Sequence, residues 1–288
     1  MKPFISRTSL PLLLALCLTA CTPSEKPNTA NAGKASTNTT LENIIKGSHR
    51  AKEHKARDPF RNPAATLAFF DVQPDMTVVE IWPGGSGWYT EILAPYLKDT
   101  GTLYAAQFNQ DTTVEYFKKS RDKFLAKMNS NPGLYSKVIV TEFNPRSHTE
   151  IAPAGSADRV LTFRNVHNWY MRGAGEETLL AAFNAFFTAL KPGGILGIVE
   201  HRLPEGRDLS DQDASGYMKQ SYVIQIAQQV GFSAPEISEL NANPKDTADH
   251  PKGVWSLPPR VRGGEEDREK YVAIGESDRM TLKFVKPI

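Results

Sequence analysis

From about Leu41 onward, short apolar runs alternate with longer segments whose apolar side chains recur every three or four positions, the spacing of a helix face. The short runs predict strands at Met76–Trp82, Thr102–Gln107, Lys137–Thr141, Ala157–Phe163 and Ile195–Glu200, with late strands at Glu236–Leu240 and Met280–Val285. The helical spacing predicts a polar helix over Leu41–Arg57 and a short apolar one over Ala64–Phe70, separated by the Pro-punctuated turn Asp58–Pro63. Further helices are expected at Trp88–Leu97, Thr113–Met128, Glu176–Leu190 and Ala214–Val230. In Glu176–Leu190, the residues Leu179, Leu180, Phe183, Phe186, Phe187 and Leu190 share one face, and Lys191-Pro192-Gly193-Gly194 stops the helix. Such β–α alternation predicts an α/β fold, a doubly wound Rossmann-like sheet that is mostly parallel and carries an antiparallel late strand.

The pattern before Leu41 is different. Lys2 and Arg7 precede an apolar run, Leu10–Leu18, too short to span a membrane as a mature helix. Leu18-Thr19-Ala20-Cys21 then resembles the lipobox of bacterial lipoprotein signal peptides. The resemblance implies cleavage before Cys21 and lipidation of that residue, and Thr22 in the next position implies the outer membrane, facing the periplasm. Residues 1–20 are thus expected to be a signal peptide, residues 21–40 a disordered tether and residues 41–288 a single domain. The tether is nearly free of large apolar residues, and a flexible coil of that length reaches ~25 Å. Membrane contact is expected through the lipid anchor alone.

Composition narrows the chemistry. The only cysteines are Cys17, which leaves with the signal, and Cys21, which carries lipid, so disulfides, zinc fingers and thiol nucleophiles are excluded. His49 and His54 are five apart and do not share a helix face, so no metal site is expected from them. Lys and Arg number 34 against 32 Asp and Glu, and no basic stripe suggests a nucleic-acid footprint. A small-molecule partner is the expectation.

The chemistry-bearing stretch is Val78–Thr90, where a buried strand turns through Pro83-Gly84-Gly85-Ser86-Gly87 into a helix. Such a turn at the first strand of an α/β sheet is where nucleotide-like cofactors sit. With Leu190-Lys191-Pro192-Gly193-Gly194 before strand five and the late strand pair, the chain resembles class I S-adenosylmethionine-dependent methyltransferases. Glu80–Gly85, Phe163–Trp169 and Glu200-His201-Arg202 resemble, more narrowly, a group of bacterial predicted methyltransferases. The resemblance implies S-adenosylmethionine as cofactor, with Glu80, Pro83, Gly84, Gly85 and Gly87 along its methionine part. It implies Gln107 and Asn109 at the ribose, Glu142 and Phe143 near the adenine, and Arg164 at the end of strand four. Asn165, His167 and, from the start of a later helix, Tyr217 are the candidate catalytic groups, acting on an unidentified small-molecule acceptor.

The chain departs from the family pattern at two places. Trp82 stands where the first turn glycine is usual, either as a core anchor or as a ligand contact, and amides replace the usual acid after strand two. A nicotinamide cofactor fits worse, because Gly85-x-Gly87-x-x-Thr90 lacks the third glycine and Trp88 and Tyr89 would crowd a pyrophosphate. The second reading is a non-catalytic periplasmic binding or scaffold protein on a methyltransferase fold, since export separates the chain from a cofactor made in the cytosol.

Overall fold

The computed structural model describes residues 41–263 and 267–288. The expected signal peptide, Cys21 and the tether lie outside the described residues. Among the described residues, no helix is long and apolar enough to cross a membrane.

The chain opens with helices at residues 41–46 (α1), Lys52–Lys55 (α2), Asp58–Arg61 (α3) and Pro63–Phe69 (α4). Thr77–Ile81 (β1), Thr90–Leu97 (α5), Thr102–Phe108 (β2), Glu115–Ser130 (α6), Pro132–Tyr135 (α7) and Ile139–Phe143 (β3) follow. Ala157–Phe163 (β4), Val166–Tyr170 (α8), Gly175–Ala189 (α9) and Leu190–Leu203 (β5) form the central part. The chain ends with Gln212–Ser215 (α10), Met218–Lys219 (β6), Gln220–Val230 (α11), Glu236–Ser238 (β7), Arg268–Ile274 (α12) and Arg279–Val285 (β8).

The strands form one sheet in the order β3-β2-β1-β4-β5-β8-β7, with β6 paired to β5. Pairs from β3 to β5 are parallel, whereas β8 runs antiparallel to both β5 and β7. Successive residues of β1 point to opposite faces. Val79 and Ile81 pack with Phe183 and Phe186 of α9 and Ile226 of α11 in one core. Val78 packs with Ile92 and Leu93 of α5 and Phe124 of α6 in the other. Both faces of the sheet are therefore covered, as a mostly parallel sheet requires.

Two expected helices are broken by tertiary contacts. Over Leu41–Arg57 the helix stops at a turn where the Gly47 amide donates to the Ile44 carbonyl (3.0 Å). Arg50 is then buried, donating to the Ile45 carbonyl (2.8 Å) and to Asp58 (2.7 and 2.8 Å). Over Ala214–Val230, Gly216 takes a left-handed φ of +75° and a side chain there would strike Val254 at 2.7 Å. Met218 and Lys219 then pair with β5, and the helix restarts at Gln220. Strand five is longer than expected, because residues 190–194 continue the strand after α9, and the Gly193 amide donates to Lys286 (2.8 Å).

Candidate active site

Sheet order reverses between β1 and β4, with β2 on one side and β5 on the other. Open α/β sheets bind ligands outside the carboxyl ends of the strands at such a switch point. A cavity of about 830 Å³ lies there, walled by the β1 turn, the ends of β4 and β5, the start of β8 and the segment Val254–Arg262.

Glu80 shares the Val78 face of β1 and is buried against the start of α5, where the Thr90 hydroxyl donates to it at 2.6 Å. Burial pushes its carboxyl up to about 7, against the Thr90 bond and the nearby Lys127 charge. Trp82 has φ +45° and its backbone amide still donates to the Ala106 carbonyl of β2 (2.8 Å). Its indole NH donates to the Phe143 carbonyl (2.9 Å), and the ring packs on Phe108, Phe117, Phe143 and Trp169 at centroid distances of 4.6 to 5.8 Å. The indole is both anchor and wall: pinned to β3 at one end, it lines the cavity with Phe108 and Phe117. Those two rings stack on each other at 4.2 Å.

The turn glycines divide by role. Gly84 has φ +68° and nothing lies within 4 Å of where its Cβ would stand. Cβ atoms at Gly85 and Gly87 would instead press on α6, at 3.0 Å from the Ser120 carbonyl and 3.1 Å from Phe124. Pro83, Gly84 and Gly85 line the cavity; Gly87, buried behind the turn against α6, is not part of its wall.

On the β4 side, Arg164 turns the chain with φ +63°, its amide donating to the Val199 carbonyl (2.7 Å). Asn165 Nδ2 donates to the Ile81 carbonyl (2.9 Å) and ties the ends of β4 and β1 together. His167 opens α8 and is buried, with Nδ1 3.0 Å from Glu200. The carboxylate of Glu200 also accepts the backbone amides of His167 (3.3 Å) and His201 (2.7 Å). It is thus an acceptor throughout, so His167 Nδ1 carries the hydrogen and Nε2 is the basic nitrogen. His201, 5.4 Å away between ring centroids, bonds Ser277 through Nδ1 (2.5 Å). Burial first, then His167 and the surrounding arginines, hold its imidazole well below the ordinary range, so it is neutral. Ligand atoms of His167, Glu200 and His201 lie within 4.8 Å of one another. The hydrogen bonds just described account for that proximity.

Besides Gly87, four residues expected at the cofactor are placed elsewhere. Gln107 is fully buried, accepting the Phe108 amide (2.9 Å) and donating to the Gly84 carbonyl (3.4 Å), so it braces the turn from behind. Asn109 donates to Asp111 and accepts from Asn144 (3.3 Å). Glu142 accepts from Arg121 and from the Gln110 amide, both at 3.2 Å. Phe143 is a core residue whose carbonyl holds Trp82. Tyr217 is corrected as well: it does not begin a helix at the rim. It is fully buried beside Leu203, Ala248 and Val254, and its hydroxyl donates to Asp246 at 3.0 and 3.1 Å. Burial and the Asp246 charge push that hydroxyl far above its ordinary value, so it is no proton donor for the cavity.

The cavity wall also holds groups that the sequence reading passed over: Arg57, Arg61, Glu276 and Arg279. Glu276 accepts from Arg57 (2.5 Å), Arg61 (3.4 Å) and Arg279. Burial alone would raise its carboxyl, but the three guanidiniums hold it well below the ordinary range. Arg57 and Glu276 stand 219 positions apart, so local spacing does not signal this cluster.

No protein-family model matches the chain, and no curated protein matches it in sequence. Solved structures do match. A SAM-dependent methyltransferase from Aquifex aeolicus superposes with a TM-score of 0.52 at 13% identity, covering 86% of this chain and 98% of that one. The cyclase SpnF superposes with a TM-score of 0.54 at 16% identity, covering 91% and 98%. The chain therefore has the class I methyltransferase fold, a fold that also carries a protein named for a cyclisation.

Proposed function

We propose that the chain is an S-adenosylmethionine-dependent methyltransferase acting in this cavity on a small-molecule acceptor. The observation that carries the reading is the open cradle at Gly84 beside Glu80, on a cavity also lined by His167, which Glu200 holds from behind. The wall chemistry fits the cofactor in two respects. Trp82, Phe108 and Phe117 offer aromatic faces to a flat base. Gly84 lets the backbone approach the methionine part, and Glu80 places a carboxylate near a cationic centre. The ribose hydroxyls find no acid at the end of β2, since Gln107 is committed to the turn.

When bound, the cofactor supplies an electrophilic methyl carbon on a sulfonium. The residues of the chain do the rest. Asn165 fixes the β4 end against β1, so the two walls keep their spacing. His167 Nε2 takes the acceptor proton, and Glu200 holds the ring in the tautomer that makes Nε2 basic and steadies the imidazolium that forms. Trp255 and Leu257 add apolar surface to the cavity wall. The proposal extends to placement: lipidated Cys21 anchors the domain to the outer membrane, facing the periplasm, through residues 21–40. Palmitate label on the wild type but not on Cys21→Ala supports this, and label that persists in the variant refutes it.

The commitment of Trp82 and Gln107 to packing favours one rival, a non-catalytic binding or scaffold protein on the same fold. Titration calorimetry separates the two. Saturable binding of S-adenosylmethionine that is lost in Gly84→Val supports the enzyme. No binding at millimolar cofactor refutes it. Gly85→Val is a poor probe, because its side chain would disturb α6 packing as well.

A further inference from the structure

The cavity holds more positive charge than the protein balances. Arg57 and Arg61 come from the start and end of α3, Arg164 from the end of β4 and Arg279 from the start of β8. Glu276 accepts from three of these four guanidiniums, so the group exceeds that carboxylate by three positive charges, and Arg172, Arg260 and Arg262 add to the excess along the same cavity. Arg61 and Arg279 are 4% and 2% exposed. Arg57 Nη2, Arg61 Nη2 and Arg279 Nε are buried without a hydrogen-bond partner among the described residues. The Arg164 guanidinium makes no hydrogen bond there either; burial, then Arg279 and Arg57, bring it down to about 10.

Buried cations that repel one another and leave donors unmade are costly to a fold. Guanidinium groups converging on one space match the planar, multi-oxygen geometry of carboxylate and phosphate. We propose that Arg57, Arg61, Arg164 and Arg279 form an anion subsite that takes a carboxylate or phosphate group of the acceptor, which makes the acceptor an anionic small molecule. The acceptor role rests on the methyltransferase reading; the anion subsite does not. Glu276 has the role of an internal spacer: it accepts from three of the arginines and holds them in register.

The test is a melting and calorimetric titration of the protein with inorganic phosphate and with succinate, each with and without S-adenosylhomocysteine. Saturable binding of either anion supports the subsite, and the tighter of the two names the acceptor's group. Arg164→Met leaves no partner orphaned, so the ligand-free variant melts at or above the wild-type temperature while anion affinity falls tenfold or more. Arg57→Met gives the same loss and guards against a folding defect at position 164. The subsite is refuted if neither anion binds, or if Arg164→Met and Arg57→Met bind as the wild type does. Displacement of the anion by S-adenosylhomocysteine refutes the acceptor assignment, since the arginines would then be holding the cofactor's own carboxylate. Anion binding without any binding of S-adenosylhomocysteine upholds the subsite and overturns the methyltransferase reading.

Discussion

Glu80→Gln is the substitution with the best-defined energetic consequence. The wild-type carboxyl rises from an ordinary 4.5 to about 7 because it is buried, with the Thr90 hydroxyl as its hydrogen-bond donor. The folded state therefore binds the proton more tightly than the unfolded state. Stability from this group is present in full below the unfolded value of 4.5 and is lost as pH rises through about 7. At about 1.4 kcal/mol for each tenfold in proton affinity, the loss amounts to about 3 kcal/mol. Glutamine keeps an oxygen for Thr90 and carries no charge, so the variant is free of this loss. Urea unfolding followed near pH 5 and near pH 8 measures it. Relative to wild type, Glu80→Gln should gain about 2.5 kcal/mol of stability between the two conditions, since the unfolded carboxyl is already mostly ionised at pH 5. Parallel pH profiles for the two proteins would show instead that Glu80 ionises alike in the folded and unfolded states.

Three other outcomes are expected from the structure. A cationic ligand beside Glu80 should pull its carboxyl back down and release a proton near neutral pH, seen as a binding heat that varies with buffer ionisation enthalpy and disappears in Glu80→Gln. Tyr217→Phe should cost about 1 to 2 kcal/mol by urea unfolding while ligand affinity stays unchanged, since Asp246 keeps His250 (2.8 Å) and the Asp278 amide (2.8 Å). Glu276→Gln should cost about 3 to 5 kcal/mol at neutral pH, because it leaves buried guanidiniums facing one another. Wild-type Glu276, held below the ordinary carboxylate range, contributes stability above pH 4.5 that is lost in acid, so the gap to the variant should close as pH falls.

What could be read from the chain alone was what local pattern controls. The expected strand at Ala157–Phe163 matches β4, Met76–Trp82 overruns β1 by one residue at each end, and Glu176–Leu190 lies within one residue of α9. Central parallel strands and strongly amphipathic helices carry their own periodicity. The Ala214–Val230 segment does not, because pairing of Met218 and Lys219 with β5 overrides its helical spacing. The site divides in the same way. Glu80, Gly84, Asn165 and His167 sit on or next to the carboxyl ends of β1 and β4 and are found by following those strands. Gln107, Glu142 and Phe143 hold equivalent positions on β2 and β3, yet the Trp82 indole, anchored on the Phe143 carbonyl, lies across that side of the edge. The arginine cluster joins residues separated by as many as 219 positions, and no local pattern announces such a contact.

On the proposed function, the cavity lined by Trp82, Gly84 and Phe117 receives an adenosyl group. A crystal structure of the protein grown with S-adenosylhomocysteine tests it most directly. The expected result is adenine against the aromatic wall of Trp82, Phe108 and Phe117, with the homocysteine part over Gly84 and beside Glu80. A cavity that remains empty at saturating ligand, or ligand bound away from the β1 turn, would contradict it.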